Sequence, residues 1–188
     1  MLKATPSSPT LSEFNVPIVS LSPPTSKDLE DLTAFEFANR AFFEASINAR
    51  PLSYYAAAGI QEAIDTAICE AVEDKGYQFL ARNADGALVA RVNLTRVRRE
   101  HFHGAELGYR VAQSHTGKGY ATEAVRLALH IAFQTLKLHR IEASVRPDNT
   151  GSIQVLLRNG FTQYGRSTRS FQLAGQWHDL CHFECHAA

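Results

Sequence analysis

The stretch from Ala105 to Val145 limits the possible folds of this chain more than any other part of the sequence. "AELGYRV", at 105–111, has the short pattern of a strand, and a glycine-containing loop follows it. A helical pattern then runs from about Gly119 to Leu136, and "RIEASVRP" is strand-like again. Two strands of one sheet joined in this way lie parallel, and their crossover is right-handed in nearly every case. The pattern therefore predicts a parallel pair of strands with a helix against the sheet.

Two helical segments precede this unit. "FNVPIVSL", at 14–21, predicts a weak strand. Residues 25–45 predict one helix, and residues 57–76 predict a second helix that ends at Gly76. The positions expected to face the core are Leu29, Leu32, Phe35 and Phe42 in the first helix, and Ile60, Ala63, Ile64, Ala67, Ile68 and Val72 in the second.

Turn residues join the other predicted strands. Asp85-Gly86 divides residues 77–94 into two strands, and Ala174-Gly175 joins 162–173 to 176–186 in a closing hairpin. Between them, residues 148–161 predict a helix that Asp148 or Asn149 caps and Gly160 ends.

The predicted order of elements is β-α-α-β-β-β-α-β-α-β-β. It indicates an α/β fold of the α+β kind, a central mixed sheet with helices on both faces. Ser, Pro and Thr dominate residues 1–13, which predicts a flexible N-terminal tail, and residues 14–188 predict a single domain. A length of 188 residues with 45% apolar content is sufficient for one full core.

Charge and cysteine content exclude several classes of function. Lys plus Arg and Asp plus Glu both number 19, so no overall field would attract nucleic acid or an anionic membrane. The sequence has no secretory signal pattern and no apolar run long enough for a membrane span. Its three cysteines form no CxxC pair, which favours reduced thiols and a cytoplasmic location.

The C-terminal segment resembles a metal site in composition, with His178, Asp179, Cys181, His182, Cys185 and His186 in close succession. On one extended strand, however, Cys181 and Cys185 stand ~13 Å apart, too far to share a zinc ion. We therefore expect no metal.

The loop "QSHTGKGYATEA", at 113–124, suggests a phosphate-binding turn. A Walker loop is excluded because Ala112 stands where its first glycine belongs, and a Rossmann loop is disfavoured because Thr122 replaces its third glycine. A third interpretation has Gly117 and Gly119 open the backbone to a pyrophosphate at a helix N-terminus, next to Lys118. From the loop alone, a tight turn without any ligand remains equally compatible.

The surrounding motifs favour the ligand. In order along the chain, "LGY", "GKGYATEA", "LHRIEA", "NTGSI" and "NGF" resemble the core of the GNAT acetyltransferase superfamily, and "GQWHD" resembles the closing hairpin of its RimJ/RimL branch. The likeness extends from about Gly76 to His182. That branch comprises ribosomal-protein-alanine N-acetyltransferases.

The resemblance implies a GNAT-like fold, in which the parallel fourth and fifth strands form a wedge. It also implies acetyl-CoA as donor and direct transfer of the acetyl group to an amine in a ternary complex. The pantetheine would pair with the strand at Tyr109–Val111, and a backbone donor near Val111 would stabilise the oxyanion. The implied donor-binding residues are Tyr109, Arg110, Val111, Thr116, Gly117, Lys118, Gly119, Tyr120, Ala121, Thr122 and Asn149.

Two departures from the superfamily pattern affect the chemistry. Ser114 replaces the usual Gln or Arg of the loop, and Leu156 replaces the tyrosine that commonly protonates the departing thiolate. The resemblance offers Ser152 as the acid instead, although a serine there also suits a helix start, and Asn149 could be only an N-cap.

Glu106 is the first candidate for the base that deprotonates the amine. The alternation of side chains along a strand places it on the same side as Gly108 and Arg110. A carboxylate at a sheet edge paired with an arginine is the equally strong structural alternative, and Glu142 and Ser144 are reserves.

The modest supply of bases favours an α-amine as the acceptor. At pH 7 roughly a tenth of an α-amine is neutral, against well under a thousandth of a lysine side chain. With the RimJ/RimL resemblance, this predicts acetylation of a protein N-terminus, such as that of a ribosomal protein, by a monomer or homodimer. A small-molecule amine as acceptor, and a non-catalytic acyl-CoA-binding module, remain alternatives.

Overall fold

A computed structural model describes residues 17–188, and the predicted tail at 1–13 lies outside the described residues, as do positions 14–16. Seven strands form one sheet in the order β1-β2-β3-β4-β5-β7-β6. Their bounds are β1 Val19–Ser22, β2 Tyr77–Asn83, β3 Leu88–Arg98, β4 Gly104–Val111, β5 Arg140–Val145, β6 Thr162–Leu173 and β7 Gln176–His186. The β4–β5 pair is parallel and the other pairs are antiparallel, so the predicted mixed sheet and its parallel pair of strands are confirmed.

Helices cover both faces of this sheet. Their bounds are α1 Leu29–Ala38, α2 Arg40–Glu44, α3 Ala57–Val72, α4 Tyr120–His130 and α5 Thr150–Arg158. One buried cluster joins α4 and α5 to the strands, and a second cluster joins α1 and α3 to the opposite face. None of the helices within residues 17–188 is long and apolar enough to span a bilayer.

The strands β4 and β5 separate along their length. Their parallel pairing joins Gly104 to Arg140, Ala105 to Ile141 and Glu106 to Glu142, and it goes no further. Beyond Glu106, β4 continues to pair with β3 on its other side as far as Val111. The two strands therefore leave a wedge-shaped gap between their carboxyl ends.

The predicted single helix at 25–45 is wrong at its centre, because Asn39 divides it into α1 and α2. The Asn39 side chain donates to the Phe35 carbonyl at 2.8 Å and accepts from the Gln113 backbone at 2.8 Å. Such side-chain bonds compete with the helical pattern. The break changes which face is buried, so Phe43 is in the core while Phe42 is 38% exposed.

The predicted buried face of the second helix was too wide. Ile60, Ile64 and Ala67 are buried, whereas Ile68 and Val72 are exposed to solvent. The helix also ends at Val72, before the predicted stop at Gly76. Asp74 adopts the left-handed conformation there, with φ of 56°. The helix therefore ends without glycine in the position that terminates it.

Candidate active site

The wedge between β4 and β5 opens into a cavity of about 810 Å³. Both strands line it, together with the loop before α4, the first turns of α4 and α5, and α2. Nine residues predicted to bind the donor or act in catalysis line the cavity: Tyr109, Arg110, Val111, Thr116, Gly117, Tyr120, Ala121, Asn149 and Ser152.

The backbone of β4 presents free polar groups to this cavity. The Ala112 N–H donates to the Val89 carbonyl of β3, and alternate residues of an antiparallel strand direct their backbone groups to opposite sides. Tyr109 and Val111 therefore direct their N–H and C=O groups away from β3, into the gap that β5 leaves. An extended chain inserted there can pair with them as a strand would.

Side chains of β4 divide the cavity into two sides. Tyr109 points to α5, where its hydroxyl donates to the Ser152 carbonyl at 3.2 Å. Arg110 points the other way, to α2, where its guanidinium lies 5.3 Å from the centre of the Phe43 ring. The alternation of a strand places Gly108 on the Arg110 side. We call these the α5 side and the α2 side.

The loop before α4 forms the outer end of the cavity. Gly117 and Gly119 have φ of 72° and 84°, the left-handed conformation that glycine adopts without steric cost. Gly119 is the N-cap of α4 and offers no side chain to the first turn. The free N–H groups and the dipole of that turn make it a site for an anion.

The three other predicted donor residues lie close to the cavity without lining it. Lys118 bends back, and its ammonium donates to the Ser114 carbonyl at 2.8 Å. The Thr122 carbonyl accepts from the Asn159 amide at 3.2 Å, which ties α4 to the end of α5. Gly119 packs against Pro17, so a β-carbon there would approach the proline ring to 3.2 Å.

At the start of α5, two of the predicted residues meet. The Ser152 N–H donates to the Asn149 side-chain oxygen at 3.1 Å, so Asn149 is the helix N-cap. Burial raises the pKa of Tyr109 to about 12, so its hydroxyl, bonded to the Ser152 carbonyl, keeps its proton at neutral pH. The α5 side thus holds two hydroxyl groups that carry protons.

On the α2 side, β5 and β7 contribute a hydrogen-bonded chain of side chains. Ser144 lines the cavity, and its hydroxyl lies 2.9 Å from His182 Nδ1. The second ring nitrogen of His182 lies 2.8 Å from the Ser167 hydroxyl. One ring nitrogen of a neutral histidine accepts a hydrogen, so the chain can carry a proton away from Ser144.

Glu106 lies outside the cavity lining. Its carboxylate is bonded to the Arg96 guanidinium at 2.9 Å. This is the carboxylate–arginine pair that was predicted as the alternative to a catalytic base. Glu142 is likewise paired, with Arg98 at 2.8 Å and Arg140 at 3.0 Å. Within residues 17–188, the cavity is lined by no Asp or Glu at all.

Sequence reasoning missed the α2 side almost entirely. The residues that line it without having been singled out include Phe43, Ser46, Ile47, Phe171 and Leu180. Their separation along the chain gave no local signal, and Phe42 was assigned to the core. The cavity is also lined by His115, Arg146 and Arg158. Basic side chains close to a predicted phosphate-binding loop could have been proposed as phosphate contacts from the sequence.

Metal binding has no support from the described part of the chain. Within residues 17–188, no group of three or more His, Cys, Asp or Glu side chains is placed to hold a metal ion.

The chain is similar to known acetyltransferases. Residues 19–162 match the family described as acetyltransferase (GNAT) domain. The probable N-acetyltransferase YjcK of Bacillus subtilis is 37% identical over 153 residues, which are 81% of this chain and 84% of that protein.

Two further relatives extend the comparison. The [ribosomal protein uS5]-alanine N-acetyltransferase of Escherichia coli is 35% identical over 92 residues, which are 49% of this chain and 47% of that protein. The structure of Mycobacterium smegmatis RimJ in complex with CoA-disulfide superposes with a TM-score of 0.83 at 29% identity, covering 90% of this chain and 82% of that one.

Proposed function

This chain belongs to the acetyltransferase (GNAT) domain family, and from that premise we propose that it transfers the acetyl group of acetyl-CoA to the α-amine of a protein N-terminus. The observation that carries the donor assignment is the wedge. The β4–β5 pairing ends at Glu106 and Glu142, and the unpaired edge of β4 borders a cavity of about 810 Å³.

The donor fits the wedge by shape and by polarity. The pantetheine arm is extended and carries two amide groups, which match the free backbone groups of Tyr109 and Val111. The pyrophosphate would lie at the N-terminus of α4, where the glycine loop brings backbone N–H groups close to it. The similarity to RimJ, which was crystallised with a CoA species, supports this placement.

The transfer requires one bond to form and one to break. The neutral amine attacks the thioester carbon, the C–N bond forms, and the C–S bond then breaks to release a thiolate. The backbone N–H of Val111 faces the wedge and would donate to the oxyanion of the intermediate. Ser152 would return a proton to the thiolate, with the neutral Tyr109 beside it on the same side.

The proton released by the amine needs an acceptor on the α2 side. The Ser144 hydroxyl borders that side and is bonded to His182, so we assign the pair as a relay that takes the proton to the imidazole. Glu106 remains the alternative base. It would have to act through water, because its carboxylate is bonded to Arg96 and does not reach the cavity.

An α-amine suits this site better than a lysine or a polyamine. With no carboxylate in the described lining, the cavity holds no charge that would bind a cationic substrate. An α-amine is already neutral in roughly a tenth of molecules at pH 7, so a weak relay suffices. The kinship with the uS5-alanine N-acetyltransferase supports alanine as the first residue.

The test compares two peptides. One has a free N-terminal alanine, and the other has the same sequence with a blocked N-terminus and one internal lysine. We expect the first to be acetylated faster, measured by thiol release and by mass spectrometry. Preference for the lysine peptide would overturn the α-amine assignment, and inactivity toward both would favour a small-molecule amine. Absence of a rise in Tm with acetyl-CoA would overturn the donor.

A further inference from the structure

One buried carboxylate beside the cavity is shared by three guanidinium groups. Glu36 of α1 is 1% exposed. Arg91 is bonded to one of its oxygens, and the other oxygen lies 3.4 Å from Arg110 and 3.9 Å from Arg50. Three positive charges meet one negative charge, so this group, which we call the Glu36 cluster, carries surplus positive charge.

The other partners in the Glu36 cluster do not cancel that surplus. Arg91 donates to the Tyr54 hydroxyl at 3.0 Å and to the Gln78 side-chain oxygen at 2.7 Å, and neither partner is a carboxylate. Arg50 stacks on the Tyr54 ring at 4.0 Å. Uncompensated charge of this kind is costly to bury unless a ligand of opposite sign compensates it.

Arg110 is the member of the Glu36 cluster that places positive charge at the cavity wall. Its guanidinium lines the α2 side, next to the Phe43 ring, and its side chain is 14% exposed. Burial lowers the pKa of Arg110 to about 10, so it stays charged at neutral pH. A cation at the wall of a partly enclosed cavity acts on a ligand more strongly than one in open water.

This charge lies on the side away from the donor phosphates. The loop that would hold the pyrophosphate precedes α4, whereas Arg110 points to α2. The positive field also disfavours the ammonium form of a nearby amine, which lowers the need for a strong base. An acceptor that carries a negatively charged group, in addition to its reactive amine, would be attracted by this field.

We propose that the acceptor of this enzyme carries an anionic group within the first few residues after its reactive amine, and that Arg110 of the Glu36 cluster recognises that group. The inference rests on the proposed function and names its substrate class: N-terminal peptides in which a carboxylate follows the first residue. Cationic N-terminal sequences and polyamines are poor substrates, because they meet the same field with the opposite sign.

The test uses three peptides that begin with alanine and differ at positions two and three, which are both aspartate, both alanine or both lysine. We expect KM for the aspartate peptide to be roughly tenfold below that of the alanine peptide, with the lysine peptide poorest. Added salt should reduce the difference. Equal KM values for all three would overturn this inference and leave acetylation of α-amines standing.

A variant locates the preference. Arg110→Gln should bring the KM values of the aspartate and alanine peptides together, a ratio that general loss of stability would not change. Arg126→Gln is the matched control, because its guanidinium is exposed on α4 and pairs with Glu123. A full preference for aspartate in Arg110→Gln would overturn the assignment.

Two outcomes separate this inference from the proposed function. If Arg110→Gln does not fold, the effect of salt on the wild-type preference decides, and a preference that salt leaves unchanged would overturn the inference. If none of the three peptides is acetylated, the proposed function fails and this inference fails with it.

Discussion

The Tyr109 hydroxyl donates a hydrogen bond of 3.2 Å to the backbone carbonyl of Ser152, and this bond joins the open edge of β4 to the first turn of α5. Two residues 43 positions apart in the chain thus meet at the place where we propose that the thiolate departs. The backbone of Ser152 is held on both sides, since its carbonyl accepts from Tyr109 and its N–H donates to Asn149.

Ser152→Ala should lower kcat and leave the Kd of acetyl-CoA nearly unchanged, because a hydroxyl that protonates the thiolate acts only in the transition state. We expect a loss of roughly tenfold or more. Titration calorimetry gives the Kd, and steady-state thiol release gives kcat. Tyr109→Phe is the companion variant. Full activity in Ser152→Ala would leave it as a helix-start residue.

Gly117→Asp should abolish acetyl-CoA binding, because it places a carboxylate where the pyrophosphate would approach the backbone. A side chain at Gly117 meets no atom within 4 Å, so the fold itself has room for it. The matched control is Gly175→Asp in the β6–β7 turn, which has the same left-handed backbone and the same open space.

Each of these two variants should lose about 1–2 kcal/mol of stability through its backbone conformation. Their Tm values without ligand should therefore fall together, while the rise in Tm caused by acetyl-CoA disappears in Gly117→Asp alone. Unchanged donor affinity in Gly117→Asp would refute the assigned position of the pyrophosphate.

Gly108→Leu should raise the KM of the peptide acceptor and leave donor binding intact. Gly108 shares its side of β4 with Arg110, and a β-carbon there would meet no atom within 4 Å, so the side chain would fill the α2 side of the cavity. The graded control is Gly108→Ala, with a smaller effect. A rise in the Kd of acetyl-CoA without a change in acceptor KM would place the acceptor elsewhere.

His182→Gln and Ser144→Ala should each lower the rate most near pH 7, where most of the amine is protonated and a neutral imidazole can still accept its proton. The measurement is the pH profile of kcat/KM for the alanine peptide. If Glu106→Gln instead shows this loss and His182→Gln does not, the carboxylate is the base. In that case Arg96 would act as its positioning partner.

Most of the fold could be predicted because its signals are local. The turn at Asp85-Gly86, the N-cap at Asn149 and the order of strands and helices depend on residues a few positions apart. The break at Asn39 could not be read in this way, since its side-chain oxygen accepts from Gln113, which lies far along the chain. The register of Phe42 and Phe43 depends on that contact.

The candidate site likewise has one part that the sequence could predict and one part that it could not. The glycine loop and the residues Tyr109 to Val111 could be predicted because motif and strand pattern mark them, and they line the cavity. The α2 side could not, because α2, β5, β6 and β7 each contribute only one or a few residues to it. Ser144 and His182 come together through the register of β5 on β7.

The sequence by itself determined the order of elements, the helix that joins β4 to β5 and the backbone shape of the loop, because periodicity and glycine positions act within one or two turns of chain. Only the tertiary structure decided where β4 and β5 separate and that Glu36, Arg91 and Arg110 gather beside the gap. Sheet register and buried charge pairing join distant segments, so no local pattern carries them.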